Sequence, residues 1–177
     1  DNINYPEDYI KSFGNCISIC GFKNTGKTTF ISNVLRELKK KNAQITVLKH
    51  DGNHDFDIDQ NGTDTDCYRK AGAQKVIIFN DKKSAEISSF DEAIDYKDIL
   101  ENERRKQDFI FIEGLKNEPL PKFEILRQGI SEIPGSNEIN RLGFITDFPF
   151  EGEGLHFDLN NPKDFAEYIY NTFIVKK

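Results

Sequence analysis

The sequence contains no long apolar run and no sign of a secretion signal. Nothing in its 177 residues approaches the roughly 18 consecutive apolar residues that a membrane-spanning helix needs. The opening residues, Asp1 to Pro6, do not show the basic-then-apolar order of a signal peptide. We therefore expect a cytoplasmic protein that does not associate with a membrane.

An excess of positive charge is also missing. The chain has 24 Lys and Arg residues against 30 Asp and Glu residues, which gives a formal net charge of −6. Binding a nucleic acid polymer requires a basic face that neutralises backbone phosphates, so this balance argues against such a partner. Binding of a small nucleotide remains compatible with the net negative charge, because backbone N–H groups can bind phosphate through local dipoles whatever the total charge of the protein.

Cysteine is scarce, with 3 residues in the whole chain. No two of them are spaced as Cys-x-x-Cys, which argues against a disulfide framework and against a zinc site. Cys16 and Cys20 lie in an apolar run and are predicted to be small core residues. Cys67 lies in a predicted helix and shows no reactive context.

Strand and helix patterns alternate through much of the chain, without an internal repeat or a low-complexity tract. Apolar and alternating runs predict strands over residues 16–20, 44–48, 75–79, 85–88, 109–112, 122–127 and 141–145. Helical spacing predicts helices over residues 27–40, 63–70, 90–103 and 162–174. This alternation is typical of an α/β fold with a mainly parallel central sheet flanked by helices. Residues 1–14 are predicted to be a leader, and residues 15–177 a single domain.

The segment Gly21 to Thr28, GFKNTGKT, matches the phosphate-binding pattern Gly-x-x-x-x-Gly-Lys-[Ser/Thr] at every required position. It follows a predicted buried strand and opens a predicted amphipathic helix, as the motif requires. Backbone N–H groups would turn inward around a phosphate, Lys27 would reach the β- and γ-phosphates, and the Thr28 hydroxyl would ligate Mg²⁺. The predicted phosphate-binding residues are Gly21, Asn24, Thr25, Gly26, Lys27, Thr28 and Thr29. The domain is therefore predicted to be a P-loop NTPase domain that binds a purine triphosphate.

Glu113 is the acid predicted to complete the magnesium site with Thr28. It directly follows the apolar run 109–112 and precedes Gly114. A carboxylate at the carboxyl end of a central strand lies where α/β sheets bind their ligands. Asp is the usual residue there, and the longer Glu side chain could reach the metal or orient a water molecule. A solvated loop acid is the alternative.

An acidic cluster follows the second predicted strand, over residues 49–59. In an extended segment, Asp55, Asp57 and Asp59 lie on one side, and Phe56 and Ile58 on the other. Neighbouring carboxylates repel one another, and a divalent cation would relieve that repulsion. These acids are predicted to act in catalysis, with a solvated acidic loop as the alternative. The nearby histidines, His50 and His54, have no assigned role.

Asp147 follows the strand predicted over residues 141–145, at a position that favours base recognition. Guanine-specific P-loop proteins place there a carboxylate that accepts hydrogen bonds from both guanine N1–H and the exocyclic amine next to it. Adenine cannot offer this pair of donors. Asp147 is therefore predicted to read guanine, although the usual Asn-Lys-x-Asp sequence is absent. A turn or helix-cap aspartate is the alternative.

The residues after position 14 resemble those of the molybdopterin-guanine dinucleotide biosynthesis protein B (MobB) family. The phosphate loop is shared by very many proteins, so the more specific resemblance lies in segments that follow it in order. These segments are Leu48 to His50, His54 to Asp59, Gly62 to Asp64, Arg69 to Ala73, Ile112 to Lys116, Thr146 to Asp147 and Phe157 to Asn160.

This resemblance implies a GTP-binding, weakly GTP-hydrolysing accessory factor in the maturation of the molybdenum cofactor. It also implies a homodimer that works with the guanylyltransferase joining GMP to molybdopterin, and it makes molybdopterin a further candidate ligand.

Three alternatives remain open at this stage. A nickel-delivery maturation GTPase would use His50, His54 and nearby carboxylates, but the chain lacks the cysteine-containing metal motifs of such proteins. A small-molecule kinase would need an arginine-rich lid, for which Arg104 and Arg105 are the candidates. A nonenzymatic adaptor would bind GTP only to reach a shape that its partner accepts.

Overall fold

The computed structural model describes residues 14–52, 56–104 and 106–175, so the predicted leader lies almost wholly outside the described residues. The chain divides into two compact units, one formed by Asp1–His50 with Glu101–Lys177 and the other by Asp51–Leu100. A single domain over residues 15–177 stays a prediction. None of the helices within the described ranges combines the length and apolarity that crossing a bilayer requires.

The larger unit contains most of the regular structure. Its strands are β1 (Cys16–Cys20), β2 (Ile45–Lys49), β5 (Phe109–Glu113), β6 (Lys122–Leu126), β7 (Arg141–Thr146) and β8 (Leu155–Asp158). Its helices are α1 (Lys27–Lys40) and α4 (Pro162–Ile169), and α4 continues as a π-helix over Tyr170–Ile174. The smaller unit contains α2 (Asp64–Lys70), β3 (Lys75–Phe79) and β4 (Ser84–Ser88). Helix α3 (Tyr96–Arg104) crosses the boundary between the two units along the chain.

A six-stranded sheet in the order β2-β5-β1-β6-β7-β8 forms the centre of the larger unit. Every neighbouring pair in it runs parallel. All of its strands therefore end at one edge, and β1, which leads into the phosphate loop, lies between β5 and β6. The α/β fold with a mainly parallel central sheet is confirmed.

One face of this sheet is covered by α1 and α4. Helix α1 buries Phe30, Ile31, Val34 and Leu38, whose spacing places them on one face of the helix. Phe165 of α4 is fully buried among aromatic rings from α1 and the sheet. This apolar layer fixes the start of α1, and with it the phosphate loop, above the end of β1.

The cysteines of β1 behave as predicted. Cys16 and Cys20 are fully buried, whereas Cys67 is exposed. Burial raises the pKa of the Cys20 thiol to about 12. Both β1 cysteines are therefore uncharged core side chains at neutral pH.

The smaller unit consists of a capped helix and a hairpin. The Thr63 hydroxyl accepts a hydrogen bond from the Asp66 N–H at 3.3 Å and so caps the start of α2. Strands β3 and β4 pair antiparallel as a two-stranded sheet. Asp66 is buried, and its pKa is lowered mainly by the Gly62 N–H and then by the Lys70 ammonium group.

One predicted helix begins later in the structure, and one strand of the structure was not predicted. The helix predicted over residues 90–103 begins at Tyr96, because the Asp95 carboxylate accepts the Lys97 N–H at 2.9 Å and caps the helix there. Strand β8 was not predicted, since its 4 residues lie after a glycine-rich stretch. It forms against β7 at Gly143, where an added Cβ would lie 1.9 Å from the Leu155 carbonyl oxygen.

Candidate nucleotide site

The phosphate loop connects the end of β1 to the start of α1, and left-handed backbone angles shape it. The φ angles are +140° at Gly21, +66° at Asn24 and +96° at Gly26. A Cβ on Gly21 would lie 2.7 Å from the Ile125 carbonyl oxygen, so this position requires glycine. The Thr25 side chain is buried and donates to the Phe22 carbonyl at 2.9 Å, and it therefore shapes the loop from within.

Lys27 spans the loop from its position at the start of α1. Its ammonium group donates to the carbonyl oxygens of Gly21 at 3.0 Å and Phe22 at 2.7 Å. Burial lowers the pKa of Lys27, and the carboxylate of Glu113 opposes that shift. The side chain is thus held at the mouth of the loop, with its charge directed to where an anion would bind.

The structure brings Thr28 and Glu113 together, as predicted for a magnesium site. The Thr28 hydroxyl lies 3.0 and 3.2 Å from the two carboxylate oxygens of Glu113. Main-chain bonds fix Glu113 from both sides, because the His50 N–H donates to the Glu113 carbonyl and the Gly114 N–H donates to the Ile19 carbonyl. A hydroxyl and a carboxylate are hard oxygen donors of the kind that Mg²⁺ binds, so this pair fits the ion.

Two neighbouring cavities lie along the phosphate loop. The first has a volume of about 430 Å³ and is lined by Lys23, Asn24, Gly26, Lys27, Thr28, Thr29, Glu113 and Arg127. The second has a volume of about 230 Å³ and is lined by Gly26, Thr29, Phe30, Asn33, Arg127, Leu159, Asn160 and Pro162. Gly26, Thr29 and Arg127 line both cavities. The second cavity therefore continues the first one along the phosphate loop.

Asp147 follows β7, at the edge of the sheet that carries the phosphate loop. Its Oδ1 accepts the Gln128 N–H at 2.8 Å, and its Oδ2 lies 3.7 Å from Nε of Arg127. Both carboxylate oxygens therefore contact the segment that follows β6. The predicted role of Asp147 in reading guanine stays a prediction.

Arg127 was not predicted from the sequence, although it lies at the end of a strand, the same kind of position that led to the prediction of Glu113. Arg127 directly follows strand β6, just as Glu113 ends β5. In a parallel sheet, the residues at these strand ends reach the ligand-binding edge. Arg127 lies on the β6 side of the phosphate loop, whereas Glu113 lies on the β5 side.

A buried polar network holds the chain segments around Phe22 of the phosphate loop. Fully buried Lys122 donates to the carbonyls of Lys116 and Glu118, and burial lowers its pKa. Fully buried Glu124 accepts the Gly135 N–H at 2.6 Å. Lys116 lies over the Phe22 ring and Gly135 packs against it. The sequence alternation of β6 gave no sign that these charges are buried.

Asp57 and Asp59 of the acidic cluster lie beside an arginine of their own unit. Arg69 lies 3.4 Å from Asp57 and 3.7 Å from Asp59, which confirms that the two acids share one side of the segment. Asp59 also accepts the Thr65 hydroxyl at 2.8 Å. Arg69 therefore offsets part of the repulsion between these two acids. Among residues 56–104 and the other described ranges, no group of three His, Cys, Asp or Glu could hold a metal ion. Asp55 and His54 lie outside the described residues.

Arg104, the candidate lid residue for a kinase, lies at the opposite end of β1 from the phosphate loop. Its guanidinium packs against Gly14 and lies 4.0 Å from the Cys16 sulfur. It is therefore not placed to cover the phosphates, and Arg105 lies outside the described residues.

Comparisons with known proteins point to one family. The family profile described as molybdopterin guanine dinucleotide synthesis protein B (MobB) matches residues 16–147. The molybdopterin-guanine dinucleotide biosynthesis adapter protein of Haemophilus influenzae is 28% identical over 157 residues, which cover 88% of this chain and 87% of that protein. The protein of the same name in Escherichia coli is 26% identical over 158 residues, 86% of this chain and 90% of that protein.

The fold comparison agrees. The crystal structure of Bacillus subtilis MobB superposes with a TM-score of 0.73 at 21% identity, covering 90% of this chain and 98% of that one. A MobB homolog from Bacillus stearothermophilus gives a TM-score of 0.63 at 20% identity, covering 89% of this chain and 96% of that one. At these identities the likeness establishes the fold.

Proposed function

Because the chain belongs to the molybdopterin guanine dinucleotide synthesis protein B family, we propose that it is a GTP-binding adapter of that biosynthesis. It binds GTP with Mg²⁺ at the phosphate loop, hydrolyses it slowly and works with the guanylyltransferase that joins GMP to molybdopterin. The observation that carries the nucleotide site is the Thr28–Glu113 contact of 3.0 Å beside a Lys27 held across the loop. Molybdopterin as a ligand and the cytoplasm as the location stay predictions.

The residues of the site divide the work of binding a triphosphate. Loop N–H groups and Lys27 bind the β- and γ-phosphates, while Thr28 and Glu113 hold the metal ion, which neutralises phosphate charge when bound. That one of Asp55, Asp57 or Asp59 orients the attacking water stays a prediction. Of the two described acids, the Asp57 side chain is 56% exposed, whereas that of Asp59 is 10% exposed and bound by Thr65.

Slow hydrolysis is expected from the placement of the cations. Among the described residues that line the first cavity, of about 430 Å³, the only arginine is Arg127, which lies on the side of the loop opposite Glu113. An arginine at the γ-phosphate can raise the rate by 10³–10⁵. A partner protein or a second subunit would be the natural source of that charge.

A nonenzymatic adaptor is the second candidate function, and the name "adapter protein" of both relatives favours it. Turnover measured with and without the purified guanylyltransferase separates the two functions. Acceleration by the partner supports the GTPase, whereas slow turnover that the partner leaves unchanged supports the adaptor.

Replacing Glu113 by Gln should lower the apparent affinity for Mg²⁺ by about 10–100-fold, because the amide keeps the shape but loses the charge. Turnover should fall further, while GDP binding without Mg²⁺ should stay nearly intact. Calorimetric titration with GTP, ATP and molybdopterin, with and without Mg²⁺, provides the measurement. Glu138→Gln is the matched control, since the Glu138 side chain is 91% exposed. If Glu113→Gln changed neither Mg²⁺-dependent binding nor turnover, Glu113 would not be part of the metal site.

The proposed homodimer is supported by the apolar surface of the β3–β4 hairpin. Ile77, Ile78 and Phe79 are exposed by 55%, 57% and 79%, and adjacent exposed apolar residues of this size are typical of interaction surfaces. Ile78→Asp should shift the protein from dimer to monomer in sedimentation experiments, whereas Lys82→Asp in the turn should leave the dimer intact. An unchanged dimer in the folded Ile78→Asp variant would exclude this hairpin as the interface.

A further inference from the structure

Arg127 occupies the junction between the two cavities of the nucleotide site. It lines both of them, and a Cβ built on Gly26 would lie 3.3 Å from its guanidinium nitrogen. Its side chain is 45% exposed, so the guanidinium remains accessible from the cavities. A ligand with an anionic group in the first cavity and another group in the second would pass Arg127 with the part that connects the two groups.

The position of Arg127 along the sheet determines which part of a bound nucleotide it would contact. Thr28 and Glu113 mark the side of the loop that faces β5, where the terminal phosphates and the metal ion would bind. The second cavity opens on the opposite side and is lined by Leu159 and Asn160, which follow β8. A nucleotide with its terminal phosphates near Glu113 would therefore extend past Arg127 into the second cavity.

Several contacts hold Arg127 in this position. Its main chain exchanges two hydrogen bonds of 2.9 Å with Ser131. Its Nε lies 3.7 Å from Oδ2 of Asp147, and Oδ1 of the same carboxylate accepts the next N–H, from Gln128, at 2.8 Å. Asp147 therefore contacts both the side chain of Arg127 and the backbone that follows it.

We propose that Arg127 contacts the nucleotide on its nucleoside side, at the α-phosphate and ribose, and that Asp147 positions Arg127 instead of reading the base. This inference rests on the proposed nucleotide binding. A guanidinium forms strong, directional hydrogen bonds to phosphate oxygens, and a carboxylate on its far side restricts its orientation. Arg127, after β6, and Asp147, after β7, thus act together to bind the α-phosphate and ribose of the nucleotide.

The first test compares GTP and GDP binding to wild type, Arg127→Ala and Arg127→Lys by calorimetry. Arg127→Ala should weaken both nucleotides by the same factor, about tenfold, because the lost charge-assisted contact does not involve the γ-phosphate. Arg127→Lys should recover part of that loss, since it restores the charge without the planar fork. Lys40→Ala, which removes one positive charge at the far end of α1, should change neither affinity.

The second test uses Asp147→Asn, which keeps an acceptor for the Gln128 N–H and removes the charge beside Arg127. GTP and GDP should weaken together, and the substitution should cause no further loss in the Arg127→Ala protein, as expected for two residues that act as a unit. A base-reading Asp147 would behave differently. Its Asn variant would gain affinity for xanthosine triphosphate, whose base presents a carbonyl in place of the amine, and it would lose GTP in the Arg127→Ala background too.

Each outcome decides between the hypotheses. A loss confined to GTP would place Arg127 at the terminal phosphate, and unchanged affinities in folded Arg127→Ala would remove it from the site, so either result overturns the inference. A gain of xanthosine triphosphate binding in Asp147→Asn would overturn the positioning role. Absence of any nucleotide binding by the wild type would instead overturn the proposed function itself. Thermal unfolding of each variant confirms that the comparison is made on folded protein.

Discussion

Lys27→Ala is expected to lower the affinity for GTP at least about tenfold while the protein stays folded. A charge-assisted hydrogen bond to phosphate typically contributes about 1.5–3 kcal/mol, and about 1.4 kcal/mol corresponds to one factor of ten. In the structure the Lys27 ammonium group is bonded only to main-chain carbonyls of the loop among the described residues, at Gly21 and Phe22. Removing the side chain therefore removes the charge at the phosphate position without breaking a core contact.

Calorimetric titration with GTP, combined with thermal unfolding, provides the measurement for Lys27→Ala. Lys40→Ala is the matched control, because it removes the same charge from the last turn of the same helix. Unchanged GTP affinity in a folded Lys27→Ala protein would contradict the phosphate site. Loss of the fold is not expected, since Phe30, Val34 and Leu38 anchor helix α1 independently of the lysine.

Phe165→Ala is expected to destabilise the larger unit by about 3–5 kcal/mol, the usual cost of removing a fully buried phenylalanine. The Phe165 ring is fully buried, with its centroid 5.4 Å from that of Phe30, 5.1 Å from that of Phe123 and 4.9 Å from that of Phe157. Its truncation leaves a cavity where α4, α1 and the sheet meet. The loss is a large fraction of the free energy of unfolding of a typical domain.

Urea unfolding followed by circular dichroism measures this change. Phe165→Leu is the graded control, because it keeps much of the apolar volume and should cost clearly less than alanine. A loss below about 1 kcal/mol for Phe165→Ala would mean that the site collapses around the missing ring and that this aromatic cluster does not hold the layers together.

The positions of the phosphate loop and of Glu113 could be predicted because both depend on short stretches of sequence. In the phosphate-binding pattern the main chain forms the phosphate site, and the residues that it requires lie at fixed spacings, here from Gly21 to Thr28. Glu113 was found because it ends an apolar run, and a parallel sheet carries such an end to the ligand-binding edge. The contact between Glu113 and Thr28 confirms that the structure brings the two residues together.

Arg127 escaped the same reasoning because of the strand that precedes it. Strand β6 carries Lys122 and Glu124 in alternation with apolar residues, a pattern typical of a strand with one solvent-facing side. Both charges are in fact fully buried beneath segments that supply their hydrogen-bond partners. Those segments lie outside β6. The residue pattern of β6 therefore could not show that the strand lies in the middle of the sheet, or that Arg127 at its end reaches the ligand-binding edge.

The sequence by itself determined the parallel α/β fold, the place of the phosphate loop and the family, since local motifs and hydrophobic periodicity specify them. Only the tertiary structure decided which charges meet. Asp57 and Asp59 were predicted to act in catalysis and lie beside Arg69, while Asp147, predicted to read guanine, lies against Arg127. An ion pair depends on where two side chains come within a few ångströms, and packing of the whole chain sets that distance. The carboxylates of Asp57, Asp59 and Asp147 were therefore recognisable from the sequence, but the arginines beside them were not.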